Sequence, residues 1–259
     1  MSEAVICQQD ARGVVRLTLN QPASFNALGE EMLTALQAGV DRVAADEGAR
    51  VVVIAAAGKA FCPGHNLREM VARPELSYYQ ALFTQCSRLM LSLIKLPVPV
   101  IARVHGIATA AGCQLVAACD MAVAAEGTRF GVNGVNIGLF CATPMVALTR
   151  AIAPRVVFEM LATGRFVETG EALSLGLITR AAPANELAEV TEALATTMAA
   201  KLPAALQLGK RAFRAQAGLP VDQAYAAMSA VMVANMALED TAEGIAAFLD
   251  KRPPNWPAA

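Results

Sequence analysis

Lys59-Ala60-Phe61-Cys62-Pro63-Gly64-His65-Asn66-Leu67-Arg68-Glu69-Met70 and Val104-His105-Gly106-Ile107-Ala108-Thr109-Ala110-Ala111-Gly112-Cys113-Gln114-Leu115 decide the fold of this chain. Each stretch follows a β-branched apolar run and leads into a segment of helical character. A strand that ends in a glycine-bearing turn and enters a helix leaves backbone N–H groups unpaired at the helix start. Two such turns can aim their amides at one point, where a developing negative charge is stabilised.

The flanking sequence supplies a layered framework for these turns. Val14–Leu19 reads as a strand by its β-branched content, and Gln21-Pro22 breaks it. Over residues 26–45, Leu28, Met32, Leu33, Leu36, Val40 and Val43 recur at helical spacing. Residues 50–57 read as a buried strand ended by Gly58, and residues 66–70 as the opening of a short helix. Residues 78–96 form a longer helix with Leu82, Leu89, Leu93 and Leu96 on one stripe, stopped by Pro97. A strand over 98–104, a buried helix over 110–119 and a strand over 121–125 follow. Strand, strand, helix in repetition predicts a layered α/β fold with buried sheets. After about residue 182 the strands stop, and 185–200, 203–218, 221–238 and 241–251 read as helices. Pro203 and Pro220 stand near helix starts, where a missing N–H is tolerated.

Composition narrows the function. At 259 residues the chain is long enough for one large core, with or without an appendage. A net charge of −1 argues against nucleic acid as a partner. Hydrophobic residues make up 56%, but the excess is mostly alanine. The best membrane candidate, 98–125, is broken by Arg103, His105, Gln114 and Asp120, so no span is expected. The extra apolar surface is expected to be buried between subunits. The 6 cysteines (7, 62, 86, 113, 119 and 141) show no CxxC spacing. They read as reduced core thiols of a cytoplasmic protein, with no metal site. The amino-terminal Glu3, Asp10 and Arg12 do not form a basic-then-apolar targeting segment.

Several motifs then combine. They are Leu19-Asn20-Gln21-Pro22 with Asn26-Ala27-Leu28, Phe61-Cys62-Pro63-Gly64-His65-Asn66-Leu67, and Gly112-Cys113-Gln114-Leu115 running on to Cys119-Asp120. Phe130-Gly131, Gly138-Leu139 and Glu243-Gly244-Ile245 through Phe248-Leu249 to Lys251-Arg252 complete the set. Together they resemble the enoyl-CoA hydratase/isomerase (crotonase) family over nearly the whole chain. Val132-Asn133-Gly134-Val135-Asn136-Ile137-Gly138-Leu139-Phe140-Cys141 resembles one branch in particular, the hydratase domain-containing proteins.

The resemblance implies an α/β fold. Residues 1–182 would be an acyl-CoA-binding spiral of ββα units, and residues 183–259 a helical region that forms homotrimers or dimers of trimers. It implies an acyl-CoA thioester as ligand, with coenzyme A arriving as part of the substrate and no separate cofactor. The thioester oxygen would be held by the backbone N–H groups of His65 and Ala111. Ser24, Phe25 and Asn26 would lie along the pantetheine and adenine. Phe248 and Lys251 would hold the CoA end, from the same or a neighbouring subunit. Cys62, Gly64, Asn66, Leu67, Gly112, Asn133 and Cys141 complete the substrate-contacting set that the resemblance implies.

Hydratases of this family carry two glutamates that add water across the double bond. The matching positions here are Gln114 and Gly134. An amide does not exchange protons as a carboxylate does, and glycine has no side chain. A positioned acid or base contributes about 10²–10⁴-fold, and an oxyanion-hole donor about 10²–10³-fold. A chain that keeps only the donors is expected to bind and polarise an acyl-CoA and to hydrate it poorly.

His65 is the strongest substitute base, because neutral imidazole titrates near pH 7 and a helix start favours its neutral form. Alternatively, only its backbone acts. Glu69 fits either a base or a capping carboxylate, and Cys141 either a nucleophile with a stabilised thiolate or a packing thiol. Asn133, Asn136 and Gln114 could orient a water or a substrate oxygen, and His105 reads as structural. Three functions fit these residues: an acyl-CoA enzyme of hydratase/isomerase type, a non-catalytic acyl-CoA binder, or a different enolate reaction. The last would be isomerisation, decarboxylation or thioester hydrolysis, run by His65 or a bound anion. A serine hydrolase is disfavoured, since no Gly-x-Ser-x-Gly turn occurs.

Overall fold

A computed structural model describes residues 3–256. β1 (Val5–Gln9) and β2 (Val14–Leu19) form an antiparallel hairpin that turns at Gly13, whose φ is 78°. A 3₁₀ turn at Pro22–Ser24 leads to α1 (Glu30–Ala44), and β3 (Val51–Ala56) returns parallel to β2. α2 (Leu67–Ala72) and α3 (Leu76–Lys95) carry the chain to β4 (Val100–Val104), parallel to β3. β5 (Ile107–Thr109) leaves that sheet, α4 (Ala111–Ala118) follows, and β6 (Met121–Ala125) pairs with β4.

β7 (Arg129–Gly131) pairs with β5, and a second 3₁₀ turn, Asn133–Ile137, precedes α5 (Ala142–Ala151) and α6 (Pro154–Thr163). β8 (Phe166–Glu168), α7 (Thr169–Leu175) and β9 (Arg180–Ala182) complete the strands found among the described residues. The main sheet runs β1-β2-β3-β4-β6-β9, and a small sheet runs β5-β7-β8. Four helices end the chain: α8 (Leu187–Ala199), α9 (Pro203–Gln216), α10 (Val221–Met236) and α11 (Glu239–Leu249).

The apolar run of β3 is explained by burial on both faces. Val52 and Ile54 point into the core under α1 and α3, beside Leu33, Leu36 and Leu89. Val51 and Val53 point the other way, where Leu187, Leu194 and Ala195 of α8 cover them. Alternation with period two puts successive side chains on opposite faces, and a parallel strand with both faces covered reads as a continuous apolar run.

α1 begins at Glu30, later than the sequence pattern suggests, because Asn26 takes φ 63° and its side chain is committed to the turn. Asparagine side chains compete with helix hydrogen bonds in this way. The segment 129–175 holds two short strands and three helices that the sequence pattern did not resolve.

No residue of α9 or α10 is buried, and Phe213, Tyr225, Met232, Val233 and Met236 are exposed. α9 is nevertheless tied to the sheet. Lys210 Nζ lies 2.6 Å from Asp120 Oδ2 and donates to Val98 O at 2.8 Å. Arg214 reaches the other Asp120 oxygen at 2.9 Å. Among the described residues, no helix is long and apolar enough to cross a membrane.

Candidate functional site

β3 and β4 are parallel neighbours, so the two turns leave the same edge of the sheet side by side. Ligands of parallel α/β sheets bind outside the carboxyl ends of the strands. The turns are joined along their length: Phe61 N–H donates to His105 O, Cys62 N–H to Ile107 O and Thr109 N–H to Cys62 O, at 3.0–3.1 Å. The approach is close enough that a Cβ on Gly112 would lie 2.1 Å from Cys62 O. Gly64 takes φ 101°, which points the chain into α2, and a Cβ there would stand 3.2 Å from the Ala111 nitrogen.

The N–H groups of His65 and Ala111 have no acceptor among the described residues. Ala111 opens α4, so the partial positive charge of that helix start adds to its amide. Ala110, just before it, holds φ 50° and ψ −121°, a conformation that side chains disfavour. Such strain costs about 1–3 kcal/mol, more than the roughly 0.4–1 kcal/mol of chain entropy that a glycine adds to the unfolded state. Ala110→Gly should therefore stabilise the protein by about 1 kcal/mol. A thermal unfolding midpoint that falls would contradict this.

Above the turns lies a cleft of about 1270 Å³. His65, Ala111, Gly134, Asn66 and Asn133 line it, as do Ser24, Phe25, Leu67 and Cys141. Other expected residues lie elsewhere. Asn26 is fully buried and does not line the cleft. Its amide donates to Ala57 O and Ala60 O at 2.9 Å, and its carbonyl accepts the Gln21 N–H. It therefore clamps the turn that presents Ser24 and Phe25. Cys62 is buried beneath the first turn, and burial pushes its thiol up to about 12. Gly64 and Gly112 shape the turns from behind. Phe248 and Lys251, at the end of α11, do not line the cleft of their own chain, and Phe248 is 81% exposed.

The two positions expected to handle protons differ from each other. Gln114 sits one turn into α4, buried and outside the cleft lining, with Oε1 lacking a partner among the described residues. Gly134 lines the cleft, but a Cβ there would lie 2.5 Å from Leu139 O and 2.9 Å from Cys141 Sγ. Backbone and sulfur thus fill the space a side chain would need. Burial raises the Cys141 thiol above its usual range, although a hydrogen bond with the Gly134 backbone partly offsets this, which disfavours a thiolate there.

Glu69 takes the capping role. It accepts from Asn66 Nδ2 at 2.7 Å and from the Glu30 N–H at 3.3 Å, at the start of α1. His105 is a structural stitch, its Nε2 2.9 Å from Gly58 O. The His65 ring is edge-on to Phe83, with centroids 5.3 Å apart, and its Nδ1–H donates to Leu28 O at 3.0 Å. Burial lowers its pKa, against the opposing effect of the Leu28 bond, and this keeps the ring neutral.

Sequence reasoning missed part of the wall. Phe83 comes from α3, Leu139 and Phe140 from the loop into α5, and Pro144 from the first turn of α5. Thr109 Oγ1 donates to Asn133 Oδ1 at 2.5 Å and so joins the second turn to the 3₁₀ turn of Gly134. The adjacent Leu139-Phe140, large apolar residues just after Gly138, were the available signal for this wall.

The model of the enoyl-CoA hydratase/isomerase family matches residues 9–258. Enoyl-CoA hydratase domain-containing protein 3 of Xenopus laevis is 43% identical over 248 residues, covering 96% of this chain and 84% of that protein. The Homo sapiens protein of the same name is 43% identical over 244 residues, covering 94% and 80%. These relatives bear out the branch that residues 132–141 resemble.

A crystal structure of enoyl-CoA hydratase from Mycobacterium smegmatis superposes with a TM-score of 0.96 at 49% identity, covering 98% of this chain and 99% of that one. The human domain-containing protein 3 superposes with a TM-score of 0.95 at 42% identity, covering 98% and 100%. The α/β spiral with a helical carboxyl-terminal region is the fold they share.

The cytoplasmic location expected from the thiols is corrected here, because both domain-containing relatives are named as mitochondrial. Free thiols argue against an oxidising compartment and do not choose among reducing ones. The agreement runs the length of the chain, in sequence as in backbone, and the chain belongs to the enoyl-CoA hydratase/isomerase family, whose members act on acyl-CoA thioesters.

Proposed function

We propose that this protein binds an acyl-CoA, polarises its thioester through the N–H groups of His65 and Ala111, and is a poor hydratase. One observation carries the reading. Two amides, that of His65 and that of Ala111 at the start of α4, stand without acceptors among the described residues at a cleft whose Gly134 position has no room for a carboxylate.

In the mechanism, the thioester oxygen accepts both amides, and negative charge that develops there is stabilised by about 2.7–4 kcal/mol per donor. Exposed Phe25, Leu67, Leu139 and Phe140 form an apolar rim that excludes water around the acyl group. Ser24 and Phe25 flank the pantetheine. Coenzyme A enters with the substrate, and the reading requires no further cofactor. Phe248 and Lys251 would meet the CoA end from a neighbouring subunit of a homotrimer or a dimer of trimers. The unburied apolar residues of α9 and α10 support such an assembly. Addition of water needs a base toward C3 and an acid toward C2, and Gln114 and Gly134 provide neither.

Calorimetry with CoA and a series of acyl-CoAs tests binding, and loss of the conjugated thioester absorbance of crotonyl-CoA tests hydration. The expected result is binding with hydration no faster than in Gln114→Ala. Absence of any binding sinks the proposal. Joint Gln114→Glu and Gly134→Glu replacement is expected not to restore hydration. The new side chain at 134 meets a backbone oxygen and should cost about 1–3 kcal/mol of stability. Rapid hydration by that double variant would show that Gly134 is not sterically closed.

A further inference from the structure

The amide pair divides the cleft into two sides of different chemistry. The first turn carries Ser24 and Phe25 with it. Leu28 N–H donates to Gly64 O at 2.7 Å, and the Asn26 amide clamps this segment to Ala57 O and Ala60 O. The second turn carries the chain from Gly131 onward. Ala110 N–H donates to Gly131 O at 2.9 Å, and Thr109 Oγ1 to Asn133 Oδ1 at 2.5 Å.

Charge follows this division. The charged residues that line the cleft are Glu31, Arg68 and Glu69, all on the side of the first turn. Among the described residues, none of those from 109 to 144 that line the cleft is charged. That wall is formed instead by Ile137, Leu139 and Phe140, with exposures of 61%, 48% and 51%. Residues of this size do not expose so much through backbone alone, so their apolar side chains are uncovered. Clustered apolar surface of this kind marks a place for an apolar ligand.

The thioester carbon is trigonal. With its oxygen on the two amides, the sulfur and C2 leave in diverging directions. The CoA arm, with its amides, hydroxyls and phosphates, suits the side that holds Gln21, Glu31 and Arg68. The acyl chain then runs along the uncharged wall. At about 1270 Å³ the cleft exceeds the roughly 300–1,000 Å³ of a site for a drug-sized ligand, which leaves room for a long chain beyond the thioester.

We propose that this protein selects acyl-CoAs whose acyl group is an uncharged aliphatic chain longer than butyryl, and rejects chains that end in a carboxylate. This rests on the acyl-CoA reading above and adds the substrate class. Each methylene laid on the wall leaves water for an apolar surface. A terminal carboxylate would leave water for a wall without a cation, and an unpaired charge pays heavily for that.

Calorimetry with butyryl-, hexanoyl-, octanoyl- and adipyl-CoA provides the test. Affinity is expected to rise about fourfold per methylene from butyryl- to octanoyl-CoA. Hexanoyl-CoA is expected to bind at least about tenfold tighter than adipyl-CoA, whose six-carbon chain ends in a carboxylate. Phe140→Arg, at a half-exposed position, offers that carboxylate a cation and is expected to reverse the preference. An unchanged preference in folded Phe140→Arg overturns the placement of the chain on this wall. Equal wild-type affinity for hexanoyl- and adipyl-CoA overturns the proposal whether or not that variant folds. So does an affinity that stays flat from butyryl- to octanoyl-CoA, the result expected if a second copy of this chain covers the wall. A wild type that binds none of the four overturns the acyl-CoA reading itself.

Discussion

Replacing Asp120 by alanine is expected to destabilise this protein by about 3–5 kcal/mol, as loss of one partner of a buried ion pair does. The carboxylate has three duties at one place. One oxygen meets Lys210 Nζ at 2.6 Å and accepts the Val100 N–H at 2.9 Å, and the other meets Arg214 at 2.9 Å. The Lys210 side chain is only 8% exposed, and burial already pulls its pKa down against the pull of Asp120. Without Asp120 the ammonium would be buried and unpaired, and the β4 amide would lose its acceptor.

Arg214, more exposed, contributes less, as screened pairs do. The loss should appear as a lower urea midpoint at an unchanged slope. Asp120→Asn, which can still accept from Val100, should fall between the two. A change under about 1 kcal/mol would mean that the Lys210 charge finds water instead. α9 hangs on this carboxylate, so the same variant should weaken any assembly built on α9 and α10.

Gly112→Ala is expected to be the most damaging single change at the cleft. The added methyl would stand 2.1 Å from Cys62 O and 2.9 Å from Cys62 Cβ, and backbone does not yield as a side-chain tip does. Overpacking of this kind costs about 1–3 kcal/mol and occasionally more. Relief requires the two turns to part, which moves the Ala111 amide away from that of His65. Acyl-CoA affinity should therefore fall by more than the stability loss alone accounts for. Calorimetry on folded protein at low temperature separates the two effects. Wild-type affinity in Gly112→Ala would show that the amide pair does not hold the thioester.

What the sequence disclosed follows from the range of each interaction. The Val51–Ile54 run and the Leu33, Leu36, Val40 stripe are local patterns, and β3 and α1 appear where those patterns fall. The start of α1 was misplaced because Asn26 makes contacts about thirty residues away, with Ala57 and Ala60. β5, β7 and β8 are each three residues long, too short to express a period.

At the cleft the two amides were legible, since they belong to backbone whose path the glycine-bearing turns announce. The meaning of Gly134 was only half legible. The resemblance alone marks it as a carboxylate position, and the Leu139 O and Cys141 Sγ that crowd it depend on how the loop to α5 folds back. Phe83 in the wall and Asp120 beneath α9 likewise belong to contacts that no local pattern encodes.

The pairing of β3 with β4 carries a kinetic consequence. His65 and Ala111 lie on segments that meet only after the α2–α3 crossover has closed and these parallel strands have registered, with Val52 beside Val100. Non-local parallel pairing is slow to form, because loop closure must precede its reward. The amide pair therefore has no local precursor in a partly folded chain, and ligand competence arrives late and all at once. A ligand that needs both amides binds only the closed state, so at a hundred times its Kd it would shift the equilibrium by about 2.7 kcal/mol toward the completed fold.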